Sequence, residues 1–225
     1  MKNCVGAFGK IPSLGDFFSI NLDHSTVEKL DQWMQTALLT VSEKLGLRWD
    51  ECYMNAPIWR FALCAGTVSK NHALGVMMPS VDRVGRKFPL ILLTLVEGPS
   101  NIVLDHQLNV SLYEELEDIA LMTLEEGSTR ENLVDRLEII DVKSSPALTG
   151  ITETDGVIKS CGKNISEVNS LLLAKFVCTH HKSPCMWSSV EETNHKMVIS
   201  NGLPMAEKMH VFYDIEPNNW LEELM

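Results

Sequence analysis

The chain of 225 residues contains no apolar run long enough to cross a lipid bilayer. Its longest candidate, Leu90 to Val96, includes Thr94 and ends at Glu97. That run is far shorter than the roughly 20 residues that a membrane-spanning helix needs. The N-terminus also shows no long apolar stretch typical of a signal peptide. We therefore expect a protein without stable membrane insertion, located in the cytoplasm.

The chain also lacks an excess of positive charge. Its 19 Lys and Arg residues face 30 Asp and Glu residues, which gives a formal net charge of −11. A general nucleic-acid binder needs a concentrated basic field to contact phosphates, so we expect no nucleic-acid partner. Hydrophobic residues make up 45% and charged residues 22% of the chain, as is typical of a globular protein with a substantial core.

Cysteine spacing shows no compact disulfide framework, although six cysteines are present. We expect them to be reduced thiols. Cys178, His180, His181 and Cys185 lie within eight residues and are all possible zinc ligands. A structural zinc site usually takes two ligand pairs from separate knuckles, and no second pair is apparent. We therefore expect no metal site and no cofactor.

Sequence motifs for catalysis are absent as well. A phosphate-binding loop at Gly9-Lys10 would need a further glycine five residues before Gly9, where the chain has Cys4. No G-x-S-x-G nucleophile motif occurs. Ser13 and Ser80 lie in loops, but nothing in the sequence places a histidine beside either of them. We expect no catalytic residues and no enzymatic activity.

The apolar periodicity predicts alternating strands and helices in one domain spanning residues 1–225. Strands that follow one another closely must pair antiparallel, because parallel neighbours need a long crossover. The pattern favours a three-layer α/β/α sandwich around a mixed, largely antiparallel sheet. We expect Arg48 to Asn55 to be irregular and Asp141 to Glu167 to form a joint or mobile insertion.

The predicted strands are Val5–Gly9, Ile58–Ala65, Ala73–Met78, Phe88–Val96, Pro184–Ser189 and Lys196–Ser200. The predicted helices run from Asp23 or Ser25 to Gly46, along Leu108–Met122, around Leu133–Leu137, from Val168 to Phe176, and briefly after Leu203-Pro204.

The most informative segment runs from Pro79 to Pro89 (PSVDRVGRKFP). It places several charges around a glycine between two apolar runs: Asp82, Arg83, Arg86 and Lys87 around Gly85. The flanking prolines exclude a continuous helix, so we interpret the segment as a shaped loop. Such charges either pair with one another or form a surface for a partner or a small anion.

A second unusual loop, residues 10–16 (KIPSLGD), follows the first predicted strand. Both loops follow strands, so both could emerge at the same edge of the sheet. We expect cross-loop pairing, such as Asp16 with Arg83 or Arg86, and we expect Asp82 with at least one arginine to brace the loops. On a neighbouring strand, Trp59 is expected in the core, with Arg60 either a snorkelling surface residue or part of the same cluster.

Four separated motifs in the first hundred residues together resemble the TagF family of type VI secretion-associated proteins. They are GAFGKIPSLGDF (residues 6–17), WMQ (33–35), APIWRF (56–61) and GVMMPSVDRVGR (75–86), the last followed by Phe88-Pro89. Met186-Trp187-Ser188 and Gly202-Leu-Pro204 look like degraded forms of two C-terminal family elements. The matching family residues are Gly9, Lys10, Pro12, Gly15, Asp16, Trp59, Arg60, Pro79, Ser80, Asp82, Arg83, Gly85, Arg86 and Pro89.

The resemblance implies a cytoplasmic, non-enzymatic accessory protein that represses type VI secretion after translation. It implies a protein partner, namely the forkhead-associated-domain scaffold protein of the secretion system. It leaves open whether the matching residues contact that partner or only shape the fold. The alternative from the residues alone is a phosphate- or small-ligand-binding sensor that uses the basic loop from Asp82 to Lys87.

Overall fold

The computed structural model describes residues 4–98, 101–137, 143, 149–191, 194–214, 216 and 220. Nine strands and six α-helices are present among them. Two 3-10 helices, Gly46–Arg48 and Ala206–Phe212, complete the regular elements. The strands are β1 Val5–Gly9, β2 Phe18–Ile20, β3 Trp59–Leu63, β4 His72–Met78, β5 Leu90–Val96, β6 Ile151–Thr154, β7 Val157–Ser160, β8 Pro184–Val190 and β9 His195–Asn201. The helices are α1 His24–Leu45, α2 Trp49–Met54, α3 Ile102–Leu108, α4 Val110–Met122, α5 Arg130–Leu137 and α6 Ile165–His180.

Seven of the strands form one sheet in the order β2-β1-β5-β4-β3-β8-β9, and β6 and β7 form a separate hairpin. Every described strand pair is antiparallel. For β3, β4 and β5 the short connections explain the direction, because neither is long enough for a parallel crossover.

Helices cover both faces of the large sheet. One face packs against α1 and the C-terminal 3-10 helix, with Trp59, Phe61 and Trp187 in its core. The other face packs against α3 to α6 through a second apolar cluster that includes Ala62 and Leu74. Alternating side chains of each strand supply the two cores, as expected for a sheet buried on both sides. The predicted three-layer α/β/α sandwich is confirmed.

Helix α1 follows the local signals in its sequence. The Asp23 side chain accepts a hydrogen bond from the Thr26 amide (2.9 Å) and so caps the first turn. Gly46, at φ 54°, ends the helix in a conformation that glycine adopts most readily. The buried residues of α1, which include Leu30, Met34, Ala37 and Val41, recur every three or four positions.

Several predicted elements need correction. The segment Arg48–Asn55, expected to be irregular, contains α2, and Phe18–Ile20 adds an edge strand that the sequence analysis missed. The helix expected from Val168 to Phe176 extends from Ile165 to His180. The joint expected from Asp141 to Glu167 lies partly outside the described residues, and its described part includes the β6–β7 hairpin. No helix in the described parts of the chain is long and apolar enough to cross a membrane.

Candidate functional site: two braced loops

The sheet brings the two unusual loops together. β1 pairs with β5, and β5 pairs with β4, so the C-terminal ends of β1 and β4 flank the start of β5. Loop 1 (residues 10–17) leaves β1, and loop 2 (residues 79–89) joins β4 to β5 at the same end of the sheet. Gly9 allows this close approach, because a Cβ there would collide with the carbonyl oxygen of Pro89. We call residues 10–17 and 79–89 the braced loops.

The Asp82 carboxylate is the centre of the braced loops. Its side chain is fully buried, and Oδ2 contacts Lys10 Nζ at 3.0 Å and Arg86 Nε at 2.6 Å. Oδ1 accepts hydrogen bonds from the backbone N–H groups of Val84 (3.0 Å) and Arg86 (2.9 Å). Burial alone would raise the pKa of Asp82, but these donors from Arg86, Lys10 and Val84 together hold the pKa well below its usual range.

Backbone contacts also hold loop 2 to loop 1. The Arg83 amide donates to the Leu14 carbonyl (2.8 Å), and the Arg86 guanidinium donates to the Gly15 carbonyl (2.6 Å). Within loop 2 the Gly85 amide donates to the Asp82 carbonyl (2.9 Å), with Gly85 at φ 83°. A non-glycine residue would be strained at that φ, so Gly85 gives the loop its tight turn.

The expected pairing of Asp16 with Arg83 or Arg86 is not found among the described contacts. The Asp16 side chain is exposed and accepts a hydrogen bond from the Phe17 amide (2.8 Å) instead. Arg86 pairs with Asp82, its neighbour four residues earlier, because the turn at Gly85 folds its side chain back across the loop. Lys10, whose partner the sequence did not identify, supplies the cross-loop ion pair.

A buried tyrosine anchors the start of loop 2. The Tyr53 hydroxyl donates to the Ser80 carbonyl (2.7 Å) and accepts from the Ser80 amide (3.1 Å). Tyr53 lies on α2, in the segment expected to be irregular, so this contact could not be expected from the sequence. On the other side of loop 2, Lys87 contacts the exposed carboxylate of Asp50 at 2.7 Å.

The outer surface of the braced loops combines positive charge with apolar groups. Arg83 and Arg86 are exposed, and Val84 between them is 71% exposed. Phe17 is 43% exposed, packs edge-on against Phe88, and covers the Lys10 ammonium at 4.6 Å from its ring centre. Arg83 has no ion pair among the described residues, and its guanidinium lies against Gly15 of loop 1.

Arg60 does not belong to the braced loops and is not a snorkelling surface residue. It is buried on β3, where Nε and Nη2 each lie 2.7 Å from the carboxylate oxygens of Glu117 on α4. The bidentate ion pair fastens α4 to the sheet on the face opposite α1. Trp59, the residue before it, lies in the other core and donates to the Phe212 carbonyl (2.9 Å).

The four zinc-ligand candidates do not converge. Cys178 and His180 lie on α6, whereas Cys185 is buried on β8 in the core shared with α1, on the opposite face of the sheet. Among the residues that the structure describes, no group of three or more His, Cys, Asp or Glu side chains is arranged to hold a metal ion.

One serine and one histidine do meet, at a place the sequence analysis did not consider. His106 Nε2 lies 2.8 Å from Ser188 Oγ, and Nδ1 lies 2.9 Å from the Tyr113 hydroxyl. The Tyr113 hydroxyl donates to the Phe61 carbonyl (3.0 Å), so its oxygen accepts from Nδ1–H and Nε2 accepts from Ser188. Burial, with a smaller effect of the Arg60 charge, lowers the pKa of His106 to about 4. This contact resembles a nucleophile–base pair in geometry, but the imidazole is a weak base.

Comparison with known proteins gives these contacts a family context. Residues 6–140 match the TagF N-terminal domain, described as type VI secretion system-associated. A search of curated proteins found no match. Among solved structures, PA0076 from Pseudomonas aeruginosa PAO1 is similar over 94% of both chains, with 26% sequence identity and a TM-score of 0.72. The family match over residues 6–140 is more than half of the chain, and it includes the braced loops, Tyr53 and the Arg60–Glu117 pair. This chain belongs to the TagF family of type VI secretion system-associated proteins.

Proposed function

We propose that this protein is a non-enzymatic cytoplasmic regulator that represses type VI secretion after translation. In this proposal it binds a protein component of the system, the forkhead-associated-domain scaffold, through the outer surface of the braced loops. Family membership supports a role in type VI secretion. The observation that carries the proposed binding surface is the exposed group of Arg83, Val84 and Phe17 on a loop pair locked from beneath by Asp82.

Rigidity of the loops favours protein recognition. A loop that is ordered before binding loses little conformational entropy when a partner contacts it, so more of the contact energy appears as affinity. The Asp82 contacts and the Tyr53 anchor order loop 2 without using its outer surface. Arginine and aromatic side chains are enriched among the residues that dominate interface energies, which fits Arg83 and Phe17.

The ion pairs of the loop cations weigh against the alternative of a phosphate sensor. Lys10 and Arg86 are paired with Asp82, and Lys87 is paired with Asp50. Arg83 is then the loop cation left over to bind an anion. High affinity for phosphate usually takes several convergent donors, such as bidentate arginines or a row of backbone amides. A single exposed arginine suits one carboxylate of a protein partner better.

Arg83 is the residue to change, because it is exposed and has no ion pair among the described residues, whereas Arg86 also braces the loops. We expect Arg83→Glu to weaken binding to the purified scaffold protein at least tenfold, measured by calorimetry. Lys70→Glu provides a matched control, since Lys70 is exposed in the β3–β4 connection at the other end of the sheet. It should change the affinity less than twofold. Normal binding by Arg83→Glu would show that the braced loops are not the contact surface.

A cellular measurement tests repression itself. In cells with an active type VI secretion system, overproduction of the wild-type chain should lower secretion, and overproduction of Arg83→Glu should not. If the wild type leaves secretion unchanged, the proposed repression is wrong even where the scaffold binds. A rise in melting temperature with inorganic phosphate that Arg83→Glu abolishes would instead favour the sensor.

A further inference from the structure

A pocket of about 450 Å³ lies between loop 1 and the first turns of helix α1. Its apolar lining consists of Phe8, Phe17 and Val27. The rings of Phe8 and Phe17 are stacked at an interplanar angle of 12°, with 6.1 Å between their centres. Phe8 is 4% exposed and Phe17 is 43% exposed, so part of this aromatic surface is open to solvent beside the braced loops.

The polar lining of this pocket comes from one face of α1. Glu28 follows His24 by four positions, and Asp31 and Gln32 follow Glu28 by three and four. Residues with this spacing are neighbours on the surface of a helix. The described residues that line the pocket include no Lys or Arg. The pocket therefore combines an aromatic wall with two carboxylates.

The two carboxylates are contacted by neutral amides and by one exposed histidine. Gln32 Nε2 donates to Glu28 Oε1 at 3.3 Å, and Gln35 Nε2 donates to Asp31 Oδ2 at 2.8 Å. His24 Nδ1 lies 3.9 Å from Glu28 Oε2, but the His24 side chain is 93% exposed, so water screens this contact. Within the described parts of the chain, neither carboxylate forms an ion pair with Lys or Arg. Two negative charges thus remain uncompensated at the edge of an apolar pocket.

This combination favours a cation that carries apolar atoms. Arginine can lay its hydrocarbon stem along apolar surface while its charge stays at the polar edge. Its planar guanidinium has five donors and stacks on aromatic rings, so one arginine can contact both Glu28 and Asp31 while its stem packs against Phe17. An apolar side chain would cover the two carboxylates without supplying a donor, which costs free energy.

Other cations fit this pocket less well. Among the residues that the structure describes, no group of three or more His, Cys, Asp or Glu side chains is arranged to hold a metal ion. Lys10 of this chain lies 4.6 Å from the ring centre of Phe17, but its ammonium is paired with Asp82. Lys10 therefore leaves the charges of Glu28 and Asp31 to an external cation.

We propose that this pocket binds an arginine side chain of a protein partner. Glu28 and Asp31 bind the guanidinium, and Phe17 packs against the stem. Phe17 also belongs to the outer surface of the braced loops, so one partner can contact both places. Such a partner presents a carboxylate to Arg83 and a guanidinium to the pocket. The assignment of that arginine to the scaffold protein rests on the proposed function, whereas the arginine pocket itself does not.

A blocked amino acid, N-acetyl-L-arginine N-methylamide, is the probe for the pocket. Its control is N-acetyl-L-citrulline N-methylamide, which has a neutral urea of nearly the same shape in place of the guanidinium. We expect the arginine probe to shift the backbone amide NMR signals of Phe17 and Val27, with saturation in the millimolar range. The citrulline probe should bind about fivefold more weakly. Absence of saturable shifts up to about 50 mM probe, or equal affinities of the two probes, would overturn the proposal.

Charge removal on α1 separates the pocket from general attraction to an acidic chain. The pocket variant combines Glu28→Gln with Asp31→Asn, which keep the size of both side chains, so the chain should fold. It should bind the arginine probe about fivefold more weakly and the citrulline probe as the wild type does. Glu43→Gln is the matched control, because Glu43 is exposed on the same helix, about 22 Å farther along. Equal losses for Glu43→Gln and the pocket variant would overturn the proposal.

Two measurements decide between occupants. If N-acetyl-L-leucine N-methylamide binds as tightly as the arginine probe, the pocket takes an apolar side chain and the proposal is wrong. A concentration-dependent dimer in sedimentation experiments that the pocket variant abolishes would identify a second copy as the occupant, and would also overturn it.

Calorimetry with the scaffold protein distinguishes the pocket from the braced loops. We expect the pocket variant to weaken scaffold binding about fivefold, and Arg83→Glu to leave the affinity for the arginine probe unchanged. Normal scaffold binding by the pocket variant, together with loss by Arg83→Glu, would overturn the pocket as a partner site and leave the proposed function intact. Loss by the pocket variant, together with normal binding by Arg83→Glu, would support the pocket and overturn the contact at Arg83.

Discussion

Replacing Lys10 with methionine removes one charge from the contact beneath the braced loops and preserves an unbranched side chain of similar length. Lys10 is 4% exposed, and its ammonium lies 3.0 Å from Asp82 Oδ2. The apolar stem of the new side chain can remain beneath Phe17. The substitution therefore tests the ion pair more than the packing.

The expected loss follows from what remains around Asp82. Removing one partner of a buried ion pair costs about 3–5 kcal/mol, and a hydrogen bond to a charged group contributes about 1.5–3 kcal/mol. Arg86 and two backbone N–H groups still contact the carboxylate after the change. Because these donors remain, the loss should fall below that of a fully unpaired charge, and we expect Lys10→Met to lower the free energy of unfolding by about 2–3 kcal/mol.

Lys87→Met is the matched control in the same loop pair. Lys87 contacts Asp50, whose side chain is 80% exposed. Exposed ion pairs contribute little, so the loss should not exceed about 0.5 kcal/mol. Urea unfolding followed by circular dichroism measures both variants. Equal losses for the two lysines would refute the reasoning that burial makes the Lys10–Asp82 contact strong.

A double-mutant cycle with Asp82→Asn isolates the pair itself. If Lys10 acts through Asp82, the double variant should be more stable than the sum of the two single losses indicates. Strict additivity would mean that Lys10 stabilises the loops by another route, such as its contact with the Phe17 ring.

Two further predictions concern protonation and chemistry. The pKa of the Asp82 carboxyl is lower in the folded than in the unfolded chain. The ionised carboxylate therefore stabilises the fold fully above the unfolded pKa of about 3.9. That stabilisation is lost as the pH falls from there toward the folded pKa. The stability difference between wild type and Asp82→Asn, from urea unfolding at pH 6, 4 and 3, should accordingly shrink at low pH, and a constant difference would contradict this. A fluorophosphonate probe should leave Ser188 unlabelled in intact-mass measurements. Burial lowers the pKa of His106 to about 4, so the imidazole is a weak base. Its Nδ1 contacts the Tyr113 hydroxyl, whereas the base of a catalytic triad contacts a carboxylate there. Stoichiometric labelling that Ser188→Ala removes would argue against a non-enzymatic protein.

Local signals in the sequence predicted the longer elements well. Helix α1 has its own cap, its own apolar stripe and its own terminating glycine, so each boundary is determined by residues within a few positions. Strand β2 and helix α2 were missed because they are short and depend on neighbours. β2 pairs three residues with β1, and α2 packs Tyr53 against the distant loop 2.

The braced loops were predicted in part. Their positions, the proline and glycine residues that shape them, and a bracing role for Asp82 with an arginine came from the sequence. The ion pair of Asp82 with Lys10 was not predicted from the sequence. Lys10 and Asp16 both lie in loop 1, and only the path of the chain after Gly9 turns Lys10 inward and leaves Asp16 exposed. Arg60 likewise finds Glu117, 57 positions away, because the fold packs α4 against the same face of the sheet.

The sequence by itself determined the family, the layered architecture and the two loops that distinguish this protein, because motifs, periodicity and turn residues act over short distances along the chain. Tertiary structure alone decided which charges are buried in pairs and which arginine of loop 2 has no ion pair among the described residues. Those outcomes depend on distances between residues far apart in the chain, and on the removal of water from Asp82 and its partners. A charge in a loop therefore stabilises the fold or stays available to a partner according to where the sheet places it.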